Sequence, residues 1–261
     1  VIGRVNKIFL NRSSCVAFGF PIKNKITDIL QIEDQTFNDL AAAIRHMEKK
    51  KPTLVYLGNP VRAEILSRKN AIYTPPGDWP LAIFVVGGSQ SADIFSHVVP
   101  KSILYLPLEF RQRLRIFFQV RDILREAVES ELERAGVRFE VSEFFDDISD
   151  KIANSQLVIS RAGASTLSEI AIIGRPSILV PLPSAKDDHQ TVNAEIMKES
   201  GASIVIAQKD FSPEILSKEI QLFLESPDLG KIMSDGAIKF SKPQASENFG
   251  LLLNQKYRNE V

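Results

Sequence analysis

Between Gln156 and Asn193 this chain packs two strands, two helix starts and a cluster of polar residues with no evident packing role. The short apolar run Leu157 to Ser160 is broken by Arg161-Ala162-Gly163-Ala164, as the turn after a buried parallel strand would break it. Ser165 or Thr166 is expected to cap a helix reaching Ile173, with Glu169 three residues after Thr166 as in a capping box, and Gly174 ends it before Pro176. A helix start preceded by small residues offers unpaired backbone N–H groups and the positive end of the helix dipole, a seat for a phosphate. Glu169, one turn further in, suits ribose hydroxyls, and Gln190 and Asn193 on the opening turn of the next helix face the same space. Each residue alone has a structural alternative: Glu169 closing the box, Asn193 capping, Ser165 and Thr166 as plain turn residues. Together, on one βαβ unit whose strand ends form a crevice, they favour a nucleotide.

Two more turns carry the same kind of chemistry. Gly58-Asn59-Pro60-Val61-Arg62 follows a strand and fixes a cation at its exit, suited to a diphosphate or simply a surface arginine. Gly87-Gly88-Ser89-Gln90 lies between a strand and a helix, where glycine lets a ligand approach the backbone, although many α/β turns are glycine-rich for packing alone. Phe145, in the paired aromatics Phe144-Phe145, reads as core.

The elements that must position these residues follow a regular alternation. Strands are expected at Leu81 to Val86, Leu114 to Val120, Val137 to Val141, Leu157 to Ser160, Ser177 to Val180 and Ser203 to Ala207. Helices separate them, among them Asp122 to Ala135 and Asp188 to Ser200, which argues for an α/β fold with a six-stranded parallel doubly wound sheet. Three further helices, Ser212 to Glu225, Pro227 to Phe240 and Gln244 to Tyr257, close the chain. Before the sheet come the end of a helix at Val1 to Leu10, a strand at Cys15 to Phe20, a helix at Thr36 to Lys50, a strand at Thr53 to Leu57 and a linker at Ser67 to Trp79.

Composition narrows the class. With 44% hydrophobic and 25% charged residues, the 261-residue chain is an ordinary globular sequence long enough for one large or two modest domains. Lys+Arg and Asp+Glu both count 32, so no general attraction to nucleic acid is expected. A single cysteine, Cys15, excludes an internal disulfide, and three scattered histidines make no metal cluster. No apolar run spans a bilayer and the start does not read as a signal peptide, so a reducing cytoplasm is the expected compartment. The first residue is Val1 rather than Met, which suggests a fragment.

Five ordered motifs carry a family resemblance: GNPVR at Gly58 to Arg62, GGSQ at Gly87 to Gln90, FFDD at Phe144 to Asp147, SRAGASTLSE at Ser160 to Glu169, and GRPSILVPLP through DDHQTVNA to Ala194. Together they resemble the MurG family of UDP-N-acetylglucosamine transferases, over nearly the whole chain. The resemblance implies a GT-B fold of two Rossmann-like domains. Residues 1–62 would end the N-terminal acceptor domain, 63–241 would bind UDP-N-acetylglucosamine, and 242–261 would form a helix returning to the first domain. It also implies an inverting transfer to the muramyl 4-hydroxyl of lipid I, undecaprenyl-pyrophosphoryl-MurNAc-pentapeptide, giving lipid II at the cytoplasmic face of the bacterial inner membrane. No metal or other cofactor is implied.

Residue by residue, the resemblance implies that Arg62 and Ser89 face the donor diphosphate. Phe145 stands where the family contacts uracil through the main chain, so there the resemblance departs from the core reading. Ala164, Ser165 and Thr166 would seat the phosphates, Glu169 the ribose, and Gln190 the sugar hydroxyls. Ser91 replaces the glycine of the family's GGSQGA. None of His46, His97 or His189 matches the family's catalytic position, so the base is expected upstream of Val1 and the chain alone is expected to be inactive. The rival readings are a non-catalytic UDP-sugar-binding subunit of a split transferase and, less well matched by the motifs, a UDP-N-acetylglucosamine epimerase.

Overall fold

The computed structural model describes residues 13, 15–21, 36–37, 39–47, 53–69, 71–87, 93–183 and 188–258. The helix expected at Val1 to Leu10 lies outside them, as does Ser89.

Strands β1 (Cys15–Phe18), β2 (Thr36–Phe37) and, after helix α1 (Leu40–Met47), β3 (Thr53–Tyr56) form a small parallel sheet in the order β1-β3-β2. The helix expected from Thr36 is corrected here, because Thr36 and Phe37 pair with Leu54 and Val55 of β3. Asp39 then caps α1, its carboxylate accepting from the backbone N–H of Ala41 and Ala42 at 3.1 and 3.2 Å. A carboxylate at that position satisfies donors that the first turn leaves open. Gly58 turns the chain out of this sheet with φ +87°, and a side chain there would collide with Lys242.

A four-residue helix, α2 (Ala63–Leu66), opens the second unit ahead of β4 (Leu81–Val86), α3 (Asp93–Leu104), α4 (Leu108–Arg111), β5 (Leu114–Gln119), α5 (Asp122–Ala135) and β6 (Arg138–Ser142). Then follow α6 (Ile148–Ala153), β7 (Leu157–Ser160), α7 (Ala164–Ile173), β8 (Ser177–Leu179), α8 (His189–Glu199) and β9 (Ser203–Val205), with α9 (Pro213–Glu225), α10 (Pro227–Phe240) and α11 (Ala245–Arg258) last. Six parallel strands pair in the order β6-β5-β4-β7-β8-β9. Numbered within the sheet this is 3-2-1-4-5-6, whose strand order reverses between β4 and β7, the place where such folds bind ligands.

Alternation along the strands sends side chains to two cores. Leu81, Ile83 and Val85 of β4 join Ile116, Phe118 and Ile159 under α3, α5 and α9. Ala82, Phe84 and Val86 join Phe117, Val158 and Ile170 under α2, α6 and α7. Every residue of β4 and β7 is buried, as a parallel sheet covered on both faces requires. At about 1.5–3 kcal/mol per buried large apolar side chain, these two layers dominate the stability of the unit.

The segment expected as a linker is irregular but fastened. Tyr73 donates through its hydroxyl to the Gln156 carbonyl at 3.1 Å, and Arg175 donates to the carbonyls of Ala71 and Ile72 at 3.3 and 3.1 Å. The last helix returns to the first sheet, where Leu252 packs with Ala43, Val55 and Leu57. No helix among the described residues is long and apolar enough to cross a membrane.

Candidate functional site

The turn Arg161-Ala162-Gly163 leads from β7 into α7, and it departs from the sequence expectation in one respect. Gly163, at φ −69° and ψ 136°, is the N-cap, so Ser165 and Thr166 lie inside the first turn and neither caps it. Glu169 therefore sits too deep to close a capping box. Glycine brings no side-chain acceptor, so the N–H groups of Ala164, Ser165 and Thr166 receive no side-chain cap. Ser165 is exposed and Ala164 and Thr166 are half-buried, which leaves this helix start open to a ligand.

Glu169 meets Arg62 instead. The arginine donates to Glu169 Oε1 from Nε at 3.3 Å and approaches it with Nη2 at 3.2 Å. The guanidinium side chain is 56% exposed and the carboxylate side chain 16%. Burial raises the Glu169 carboxyl above its ordinary value, and the charge and hydrogen bond of Arg62 oppose that rise. Arg62 itself stands at the N-cap position of α2, and Asn59 just before it donates to the Ala164 carbonyl and Ser168 Oγ at 3.4 and 3.1 Å. The GNPVR turn is thus pinned along the first turns of α7, and two residues singled out independently in the sequence prove to be partners.

Gln190 and Asn193 join the turns after β7 and β8. Gln190 Oε1 accepts from the backbone N–H of Ala162 at 3.2 Å and of Leu182 at 3.1 Å. Its acceptor is thereby spent on the protein, while the amide Nε2 makes no hydrogen bond among the described residues and remains a donor. Asn193, buried, donates to the Ala162 carbonyl at 3.2 Å. Arg161 completes the strap, donating through Nη1 to the carbonyls of Val180 and Pro181 at 3.0 and 3.4 Å with its guanidinium 5.3 Å from the centre of the Phe95 ring. Burial lowers the pKa of Arg161. The sequence marked the segment but not this arginine, whose partners lie on the neighbouring strand end.

The Phe145 ring is core, 7% exposed and edge-on to Phe84 at 5.8 Å between centroids. Its neighbour Phe144 is exposed. The turn carrying both is pinned at the carboxyl ends of β5 and β6: Gln119 donates to the Glu143 carbonyl at 3.1 Å and Ser142 to the Phe144 carbonyl at 2.6 Å. At the start of α3, Arg121 forms an ion pair with Asp93.

A further residue, missed in the sequence, lies behind the site. Arg175 is 1% exposed and has no carboxylate partner among the described residues; it donates to the carbonyls of Ala71, Ile72, Ala153, Ile173 and Gly174. Burial lowers its pKa to about 10, and the Tyr73 hydroxyl opposes that change.

The model of the glycosyltransferase family 28 C-terminal domain matches residues 82–249. A Rhizobium meliloti protein named UDP-N-acetylglucosamine--N-acetylmuramyl-(pentapeptide) pyrophosphoryl-undecaprenol N-acetylglucosamine transferase is 38% identical over 254 residues. That match covers 97% of this chain and 62% of the relative. A Caulobacter vibrioides protein of the same name is 34% identical over 258 residues, covering 99% of this chain and 66% of the relative. The chain therefore spans slightly less than two thirds of the length of both. The crystal structure of Acinetobacter baumannii MurG superposes with a TM-score of 0.65 at 21% identity, covering 98% of this chain and 81% of that one, and shares the fold. The chain belongs to the family of the glycosyltransferase family 28 C-terminal domain, and is similar to these two transferases over nearly its whole length.

Proposed function

We propose that this chain is the donor-binding part of an inverting glycosyltransferase that moves N-acetylglucosamine from UDP-N-acetylglucosamine to the muramyl 4-hydroxyl of lipid I, forming lipid II. The observation that carries the reading is the Arg62–Glu169 pair beside the uncapped start of α7, at the point where the strand order reverses. A cation and unpaired N–H groups suit a diphosphate, and a half-buried carboxylate next to them suits a ribose.

In this reading the N–H groups of Ala164, Ser165 and Thr166 and the side chains of Arg62 and Ser89 take the diphosphate. Glu169 accepts from the ribose, the main chain at Phe145 meets the uracil, and Gln190 donates from Nε2 to a sugar hydroxyl. Arg62 cannot serve the diphosphate and keep its whole contact with Glu169, so donor binding frees the carboxylate for the ribose. As UDP leaves, charge grows on the diphosphate, and fixed donors and a cation stabilise that charge more than the ground state. Residues 63–241 form the donor domain, residues 1–62 the end of the acceptor domain, and residues 242–261 the return to it. The acceptor base and the patch that holds the enzyme peripherally on the cytoplasmic face of the inner membrane belong to the first domain.

Transfer of labelled sugar to a lipid I analogue tests the division of labour. The 261-residue chain alone is expected to bind UDP weakly, to tend to aggregate through its first 62 residues and to transfer none, whereas a fusion with the part of the Rhizobium relative that the match leaves uncovered transfers. Transfer by the chain alone would place the base within it and overturn the division. No transfer by a folded, UDP-binding fusion would overturn the proposed reaction.

A further inference from the structure

Lys151, on α6, is 9% exposed, a degree of burial that lysine adopts only with partners. Its Nζ lies 2.7 Å from Glu140 Oε1 on β6 and 3.3 Å from Asp147 Oδ2, one helical turn back. It also sits 4.6 Å from the Phe117 ring centre and 5.2 Å from that of Phe145. Asp147 stands at the N-cap of α6 yet makes no side-chain cap, its carboxylate being turned to the lysine. One ammonium thus grips both Phe145 and Asp147, two residues of the turn that follows β6 at the ligand edge of the sheet. From the other side Gln119 and Ser142 hold the carbonyls of Glu143 and Phe144.

We infer that Lys151 is a positioning residue for base recognition: it fixes the 143–147 turn so that its main chain presents one hydrogen-bonding pattern to the nucleobase. The inference rests on the donor-site reading above. A pattern that is held still discriminates between bases, because a wrong base leaves its donors and acceptors unpaired, whereas a turn that can shift accommodates several. Glu140 keeps a second partner, Arg115, whose Nη2 lies 3.3 Å from Oε2, so loss of the lysine does not orphan that carboxylate. The Arg115 guanidinium also lies 4.7 Å from the centre of the Phe117 ring, which therefore stays covered.

The test is calorimetric titration of the 261-residue chain and its variants with UDP and, separately, ADP. Lys151→Met is expected to lower the preference for UDP over ADP by roughly fivefold or more, the scale of one charge-assisted contact, with one-to-one stoichiometry kept. Lys151→Arg should restore most of the preference. Asp147→Asn, which loosens only the turn side of the network, should lower it by less and decides the matter if Lys151→Met does not fold. A merely structural lysine would weaken both nucleotides alike or neither. An unchanged UDP-to-ADP ratio in the folded variants would overturn the role of Lys151 alone; failure of the unaltered chain to bind UDP would remove the donor-site reading and this proposal together.

Discussion

The two ends of α7 are built from similar parts and finished in opposite ways. At the C-terminal end Gly174 takes φ +73°, Ser234 donates to its carbonyl at 2.7 Å, and Arg175 covers five carbonyls in a space closed to water. At the N-terminal end a glycine caps without a side chain, the first N–H groups stay open, and the nearby arginine is exposed and held by a single carboxylate. An arginine saturated by backbone oxygens is part of the scaffold. One held by a single exchangeable partner at an open helix start is placed to act on something else.

The comparison is broken most forcefully at Arg175. Replacing it with alanine leaves several buried carbonyls unpaired, at about 1–3 kcal/mol each, so the chain should lose at least about 3 kcal/mol of stability. For a domain of this size that corresponds to a fall in Tm of roughly 6 °C or more. Lysine cannot replace the planar fork and should recover little. Unfolding of Arg175→Ala at the midpoint of the unaltered chain would show that the buried end is not the scaffold it resembles.

Arg62→Ala should do the reverse, leaving stability within about 1 kcal/mol, since exposed ion pairs contribute little. In the full-length enzyme its turnover should fall by about a hundredfold, the scale of a lost transition-state donor, and by more than UDP-sugar binding weakens. If the Michaelis constant rises while turnover holds, Arg62 is an ordinary binding residue. A finer probe is acidity. The Glu169 carboxyl lies above the ordinary value, so as pH falls through that raised value the carboxylate is protonated and ceases to accept from ribose. UDP affinity should therefore decline at a higher pH than an ordinary glutamate, near 4.3, would dictate. Glu169→Gln should flatten that decline; an identical pH profile in both proteins would separate the carboxylate from binding.

The asymmetry also explains what could be read in the sequence. The helix from Asp122 to Ala135 was legible to the residue, because Gly136 ends it with a left-handed turn, and so was Pro227 to Phe240, with proline at its first position. The six strands of the larger sheet, placed along the chain, followed from local signals of the same kind. Thr36–Phe37 became a strand rather than a helix start because its pairing partners lie on β3, which no local pattern records. The cap at Gly163 was misplaced onto Ser165 or Thr166 because a glycine cap has no side chain to announce it. Arg175 was passed over for a similar reason: its carbonyl partners at Ala71 and Ile72 lie about a hundred positions away in the chain. The motifs named Arg62 and Glu169, but only the fold made them partners.

Titrating UDP into the 261-residue chain and into its Glu169→Ala variant tests the donor site most directly, because the substitution removes one proposed ribose contact and leaves the scaffold end of α7 untouched. The unaltered chain should bind UDP at one site, and the variant should bind it more weakly by about 1–3 kcal/mol with its thermal midpoint nearly unchanged. Equal UDP affinity in the two proteins would contradict the assignment of this crevice to the donor nucleotide.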